Sequence, residues 1–480
     1  METLHDKTVK GVKWSILDVV SSYGITFIVS IILARILLPS EYGLIGIAMI
    51  FVAIANCFVD SGLGNAIIRN KTVGREAYST VFVTNMVISI LVTGIIWLCA
   101  PWISTFFGHE ELTRIIRILS LIIIINALAI TQRTRLTKEL DFKTQTIIAA
   151  SCTLVSGGVG IVMALRGYGV WALVWQQLSR QILDTVMLWV FNGGFNGLSF
   201  SFKCFKELFG FGWKILVSGL IQTIWRQAYP IVIGKCYGSE QLGYFTRANQ
   251  FSSLFSENLT SIVQRVSFPS FSKIQDEQER LVSAYRKVIQ MTMMVTFICL
   301  MGLAAIAEPM IYTLIGEKWA ASVPMLQILS ISMIFYPLIS INGNMLQVHG
   351  RSDLFLKTEI IQKILALCTI AIGIIFNIYW MLLSSIATNL TSYLIVAHYA
   401  QKVSHYGAIS QIKDILPEGL IALGIAIPVW FINLIPLAPP LVLTMQIIVG
   451  AVFAYILHER AKRSAYLEFK EYILKFKSRG

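Results

Sequence analysis

Charged and amide side chains are scarce in the apolar stretches of this 480-residue chain, so the few that occur there mark the places where chemistry is expected. Arg226 and Arg265 each lie inside such a stretch with no acidic residue three or four positions away. A guanidinium stays charged and matches phosphate oxygens two at a time, so both suit an anionic ligand. Asn56 and Asp60 fall four apart, with Gly62 and Gly64 just beyond, and Asp18 lies about one turn inside an earlier apolar run. Gln250, Glu257, Gln264 and Arg265 share one face of a further segment. Arg180 and Asp184, also four apart, read as a self-neutralised pair with a structural role more than a ligand-binding one. A charge at bilayer depth costs about 2.5–3.5 kcal/mol on insertion scales, which is why each of these residues invites a functional question. Plainer readings stand beside the functional ones: Asp18 snorkels or pairs locally, and Asp60 bonds free backbone near the glycines.

The elements that must position these residues are set by composition. The chain is 56% apolar and only 14% charged, whereas a soluble domain carries about 25% charged residues. Most of its surface therefore faces lipid, and the fold expected is an all-α polytopic membrane protein. A span needs about 20 apolar residues. Thirteen stretches qualify, at 14–37, 42–68, 78–100, 113–131, 146–165, 169–191, 211–233, 288–307, 325–348, 357–376, 378–400, 414–435 and 438–457. The first is too long for a signal-peptide core and lacks a small-residue cleavage site.

A fourteenth stretch, Tyr244 to Ser272, differs from the rest. Phe251, Leu254, Phe255, Leu259, Ile262, Val263 and Val266 recur at helical steps, while Gln250, Ser253, Glu257, Ser261, Gln264 and Arg265 occupy another face. It either crosses the bilayer or lies flat in its surface. Charge decides, because Lys and Arg accumulate in cytoplasmic links. With the N-terminus inside and fourteen crossings, the inside links take Lys7, Lys10 and Lys13, then Arg69 to Arg75, Arg133 to Lys143, Lys203 to Lys214, Lys273 to Lys287, Arg351 to Lys363, Lys402 to Lys413 and the tail from Arg460. Those links hold most of the 39 basic residues, and both termini are cytoplasmic. A flat helix would move the later basic links outside. The segment is therefore expected to cross, turning its polar face to protein or a water-filled lumen. The same distribution accounts for the net charge of +13 without nucleic acid.

Two halves repeat. Gly11 to Leu17 resembles Phe211 to Leu216, and Arg35 to Gly43 matches Lys235 to Gly243, a basic residue and a glycine eight apart in each. Residues 1–200 then form an N-terminal lobe of spans 1–6 and 201–410 a C-terminal lobe of spans 7–12. Spans 13 and 14 (411–458) and a basic cytoplasmic tail (459–480) follow. Six helices between repeats make the lobes pseudo-twofold related about the membrane normal. Spans 2 and 8 correspond, so Asn56 and Asp60 face Glu257, Gln264 and Arg265 across the lumen.

The chain has no Walker motif, no HExxH, no nucleophile elbow and no paired cysteines. No enzyme, metal site or cofactor is expected. With those alternatives gone, the motifs themselves speak. Lys7-x-x-x-Gly11-x-x-Trp14, Leu33-Ala-Arg35-Ile-Leu-Leu-Pro39-x-Glu-Tyr-Gly43, Asp60-x-Gly62-Leu63 and Leu242-Gly-Tyr-Phe-x-Arg247-Ala-x-Gln250 leading to Arg265-Val-x-Phe-Pro269-x-Phe271-Ser272 resemble the Wzx-type polysaccharide flippases. These form a branch of the multidrug/oligosaccharidyl-lipid/polysaccharide exporter superfamily, and the colanic and teichuronic acid exporters are the nearest in pattern. The resemblance implies alternating access in a bacterial cytoplasmic membrane. It implies a cargo of undecaprenyl-pyrophosphate-linked oligosaccharide moved from the inner to the outer leaflet, with Na+ or H+ as coupling ion and polysaccharide polymerase or export machinery as partner. By motif it carries cavity roles to Arg35, Asp60, Arg247, Glu257 and Arg265, whereas Arg226 rests on its depth alone. The alternative is a drug or cation antiporter of the same superfamily, using Asp60 and Glu257 as ion sites.

Overall fold

The computed structural model describes residues 24–60, 62–69, 74–193, 199–463, 466–468 and 470–471. Asp18 lies outside the described residues, as do Lys7 to Trp14, Lys71, Lys475, Lys477 and Arg479. The described chain is helical, with no strand among its described residues. The chain divides into two compact units, Met1–Gly243 and Tyr244–Gly480. Packing thus places the break after Gly243, whereas the repeat places it at 200/201.

The first unit contains α1 (Gly24–Ile36), α2 (Pro39–Asp60), α3 (Leu63–Arg69), α4 (Arg75–Phe107), α5 (Glu111–Leu119), α6 (Leu121–Lys138), α7 (Phe142–Leu165) and α8 (Val170–Asn192). It also holds the larger part of α9 (Phe202–Lys273), which bends by 51° between Phe202–Gly210 and Gly212–Lys273. Gly238 interrupts α9 a second time, at φ 83° and ψ 173°, a region only glycine adopts without strain. The link between the expected stretches 211–233 and Tyr244 to Ser272 is helical apart from Gly238.

The second unit takes up the remainder of α9. It continues with α10 (Gln278–Ala305), α11 (Ala307–Leu314), α12 (Ser322–Met333), α13 (Tyr336–Val348), α14 (Ser352–Ile375), α15 (Ile378–Ser404), α16 (Ala408–Phe431) and α17 (Pro439–Ala461).

Among the described residues ten helical stretches are long and apolar enough to cross a membrane, or eleven with the bent α9. The fourteen expected stretches are still traceable. One helix, α9, carries two of them, α1 is described over Gly24–Ile36 only, and α8 falls short because it bears Gln176, Gln177, Arg180, Gln181 and Asp184.

Those polar residues of α8 have a local use. In hydrocarbon an unmet backbone or amide group is costly, so polar side chains join neighbouring helices. Trp189 Nε1 donates to the Leu128 carbonyl at 3.0 Å and Asn192 Nδ2 to the Gln132 carbonyl at 2.9 Å, and Thr185 Oγ1 shares its hydrogen between the Gln181 carbonyl of its own helix at 2.9 Å and the Ile125 carbonyl at 3.1 Å. The second unit repeats the device. Pro337 has no N–H, so the Met333 carbonyl loses its helical donor where α12 gives way to α13. Ser256 Oγ supplies one at 3.0 Å, and Asn389 Nδ2 on α15 donates to the Ser332 carbonyl at 3.2 Å. α8 thus feeds carbonyls of α6 in the first unit, as α15 feeds a carbonyl of α12 in the second.

The repeat is also visible in contacts within the first unit. A Cβ on Gly43 would run into the Ser239 carbonyl, and one on Gly243 into the Pro39 carbonyl. Position 39 meets 243 and 43 meets 239, which is the reciprocity that a repeat offset of 200 residues requires.

Candidate functional site

The polar residues of the first unit converge on a cleft of about 360 Å³ formed by the end of α2, α3 and α6. Helical spacing puts Asn56 and Asp60 on one face of α2 and Asn126, Ile130, Arg133, Thr134 and Thr137 on one face of α6. The glycines after Asp60 shape the wall. Gly62 turns the chain at φ +66°, and a Cβ there would lie 2.9 Å from Ile215 Cβ and closer still to the Gly212 carbonyl. Gly64 lets Thr134 approach, since a Cβ would sit 3.1 Å from its hydroxyl. The Asp60-x-Gly-x-Gly pattern is thus the means by which α2 turns into α3 while α6 and α9 stay close.

Inside the cleft an amide relay fixes two side chains. Gln181 Nε2 donates to Asn126 Oδ1 at 3.4 Å, and Asn126 Nδ2 donates to Asn56 Oδ1 at 3.0 Å. Arg133 is ion-paired with Asp184 of α8. The reading of Arg180 and Asp184 as a pair is therefore corrected: four-residue spacing allowed it, but α6 lies nearer to Asp184 than does the exposed Arg180. The side chains of Asp60 and Asn65 have no hydrogen-bond partner among the described residues.

The other expected site residues are spread along the chain. Arg226 is exposed on α9 in the first unit, and Arg265 and Glu257 are exposed on α9 in the second. None of the three has an ion-pair partner among the described residues. Gln264 donates to Ser340 Oγ. Arg247 is only 6% exposed, donates to Gln250 Oε1 and lies over the Trp319 ring at 5.9 Å, so the structure puts both residues into the packing of the second unit. Arg35 is exposed at the end of α1.

The stretch from Tyr244 to Ser272 proves to have three faces rather than two. Glu257 and Arg265 are exposed on one, Phe255, Ile262 and Val266 on another. The face packed into the second unit carries small hydroxyls, Ser252, Ser256, Thr260 and Ser267, each under 4% exposed. That stripe was hidden in the sequence because hydropathy scores serine as surface, although small residues are what close helix packing in lipid requires. An apolar groove of about 220 Å³ runs beside Leu254, Phe255, Leu259 and Ile262 against Val295 and Cys299 of α10.

Sequence reasoning also missed Asn126 and Arg133, the latter counted as a link charge. An amide in the middle of the run 113–131, seven residues before an arginine, was the available signal. A second omission is Glu418 of α16, 3% exposed, with His458 Nε2 at 3.4 Å and Arg463 Nε at 3.7 Å. Among the described residues no group of three or more His, Cys, Asp or Glu side chains is arranged to hold a metal ion.

Residues 32–324 match the family described as "Polysaccharide biosynthesis protein". Lipopolysaccharide biosynthesis protein WzxC of Escherichia coli strain K12 is 25% identical over 377 residues, covering 77% of this chain and 76% of that one. Teichuronic acid biosynthesis protein TuaB of Bacillus subtilis strain 168 is 26% identical over 356 residues, 74% of each chain. Of solved structures, lipid II flippase MurJ in an inward closed conformation superposes with a TM-score of 0.73 over 94% of this chain and 100% of that one. At 14% identity this is a likeness of fold.

Proposed function

The chain belongs to the polysaccharide biosynthesis protein family, whose match takes in more than half its length, and from that premise we propose that it is a flippase for lipid-linked oligosaccharide. It is a multi-pass membrane transporter, not an enzyme. The family match carries the reading; the likeness to a lipid II flippase along nearly the whole chain supports it. In this reading the cargo is an undecaprenyl-pyrophosphate-linked repeat unit, moved from the inner to the outer leaflet of a bacterial cytoplasmic membrane by alternating access. Na+, H+ or the membrane potential drives it, and a polymerase or export complex receives the product.

The side chains of the two units suit such a cargo. The lipid chain needs only the bilayer and apolar grooves such as that on α9 and α10. The pyrophosphate needs cations not already spent on carboxylates, and Arg226 and Arg265 are exposed cations of that kind in their respective units. Sugar rings need amides, hydroxyls and carboxylates, which the cleft at Asn56 and Asp60 supplies.

The test is complementation of a strain lacking its own glycan flippase, with surface glycan and membrane level of the protein measured together. Arg226→Ala and Arg265→Ala should each lower export roughly tenfold or more, since a charge-assisted phosphate contact is worth about 1.5–3 kcal/mol. Undiminished export in both variants at normal protein level would remove the anion assignment, and no complementation by the wild-type chain in strains of varied glycan type would remove the flippase reading.

A further inference from the structure

We propose that the cleft formed by Asn56, Asp60, Asn65, Asn126, Arg133 and Thr134 is a subsite for neutral, hydroxyl-rich sugar rings, distinct from the contacts that hold the pyrophosphate. The inference rests on the lipid-linked oligosaccharide reading and divides the cargo between two kinds of site.

Charge is the first argument. Of the residues lining the cleft only Asp60 and Arg133 are ionic. The guanidinium is moreover already bonded to Asp184. Farther along α6, Arg135 is ion-paired with Glu139, and Lys138 donates its ammonium to the Ile67 carbonyl at 3.3 Å. A pyrophosphate placed here would meet the Asp60 carboxylate and no uncommitted cation, a like-charge juxtaposition that costs binding. Arg226 and Arg265 offer what this cleft withholds.

Hydrogen-bond supply is the second. Every ring hydroxyl both donates and accepts, so a sugar site needs acceptors and donors side by side. Asp60 supplies acceptors, and Asn65 supplies both; neither has a partner among the described residues. The relay from Gln181 through Asn126 commits the Asn56 oxygen and leaves its amide hydrogens as donors. Thr134 spends its hydrogen on the Ile130 carbonyl at 2.9 Å, which leaves its oxygen to accept. Because the relay holds Asn126 and Asn56 from behind, the donors are preorganised rather than recruited on binding. Ala53, Ile68 and Ile130 line the same cleft and give the C–H faces of a ring an apolar surface. A volume of about 360 Å³ is at the small end of ligand sites, enough for a short stretch of rings.

The experiment uses the full chain in lipid nanodiscs, with the native cysteines replaced and Ile68→Cys as reporter, since Ile68 lines the cleft and is 40% exposed. Maleimide labelling is followed against methyl glucoside, glucuronate and inorganic pyrophosphate. Methyl glucoside should slow labelling in a saturable way; glucuronate should do so at least several-fold more weakly, and pyrophosphate not at all. Asn65→Ala, which removes no described contact, should weaken methyl glucoside roughly tenfold, the equivalent of one or two hydrogen bonds. Asp60→Asn should erase the discrimination against glucuronate. Protection by pyrophosphate equal to that by glucoside, or glucoside protection unchanged in both variants, overturns the subsite. Glycan export separates the two readings: export without cleft protection sinks the subsite alone, and cleft protection without export of any glycan sinks the flippase reading alone.

Discussion

Replacing Gly43 or Gly243 by alanine is the sharpest test of how this fold is held. In a helix interior alanine is worth up to about 1 kcal/mol more than glycine, so propensity alone predicts stabilisation. Contact predicts the reverse. A Cβ on Gly43 would lie 2.8 Å from Ser239 Cα and closer to its carbonyl; one on Gly243 would lie 3.2 Å from Pro39 Cα and closer to its carbonyl. The obstacle is backbone in both cases, so no rotamer change relieves it and the helices must move apart. Overpacking of this kind costs typically about 1–3 kcal/mol where side chains can yield, and more where they cannot. We expect each single variant to lose about 2 kcal/mol or more net, or roughly 4–8 °C in the midpoint of a unit of this size. Since both glycines serve one crossing, the second substitution should find it already open. The double variant should therefore lose less than the two singles added, by at least about 0.5 kcal/mol. Thermal unfolding of the purified protein in detergent, followed by tryptophan fluorescence, reads all four states. A Gly43→Ala protein as stable as the parent, or a strictly additive double variant, would refute the reciprocal crossing.

Other predictions follow from single contacts. Gly62→Ala should be costly, about 2 kcal/mol or more, because a positive φ and the Gly212 backbone both oppose it. Gly64→Ala should cost under about 1 kcal/mol and be relieved by Thr134→Ala, as its only close neighbour is a hydroxyl. Asp184→Asn should impair membrane level more than Arg133→Met with Asp184→Asn together, since the single change strands a cation. Ser256→Ala should destabilise the second unit by about 0.6–2 kcal/mol by leaving the Met333 carbonyl unmet, and urea-free thermal scans suffice to see it. Burial, and donation to Asp414 at 2.6 Å, hold the Tyr406 phenol well above its usual value. Its neutral form is thus favoured on folding, and that stability is complete below about pH 10 and falls away above it. Tyr406→Phe should lower stability at neutral pH and flatten the alkaline loss.

Membrane class, span positions and repeat were legible in the sequence because each rests on a long-range average. Hydropathy over about 20 residues survives any single exception, and a 200-residue offset between Pro39 to Gly43 and Ser239 to Gly243 became a pair of physical contacts. What averages cannot give is partnership. Asp60 and Asp184 are the same residue type, each in an apolar run and each beside a polar neighbour four positions away. Asp184 has Arg133 bonded to it and joins helices; Asp60 shares a cleft with the same Arg133 but is not bonded to it. Nothing in either local sequence separates them, because the deciding cation sits on α6, about 50 to 70 residues distant in the chain. The serine stripe of α9 makes the same point from the opposite side. Ser256 and Ser253 are three apart in one helix, yet Ser256 is fixed by the Met333 carbonyl of α12, which lacks a helical donor because Pro337 has no N–H. In a lipid-embedded fold a polar residue is a candidate site only after the helix carbonyls around it have been satisfied, and by that measure Asp60, Arg226 and Arg265 stay candidates, whereas Asp184, Arg247 and Ser256 are bonded within the packing of their units.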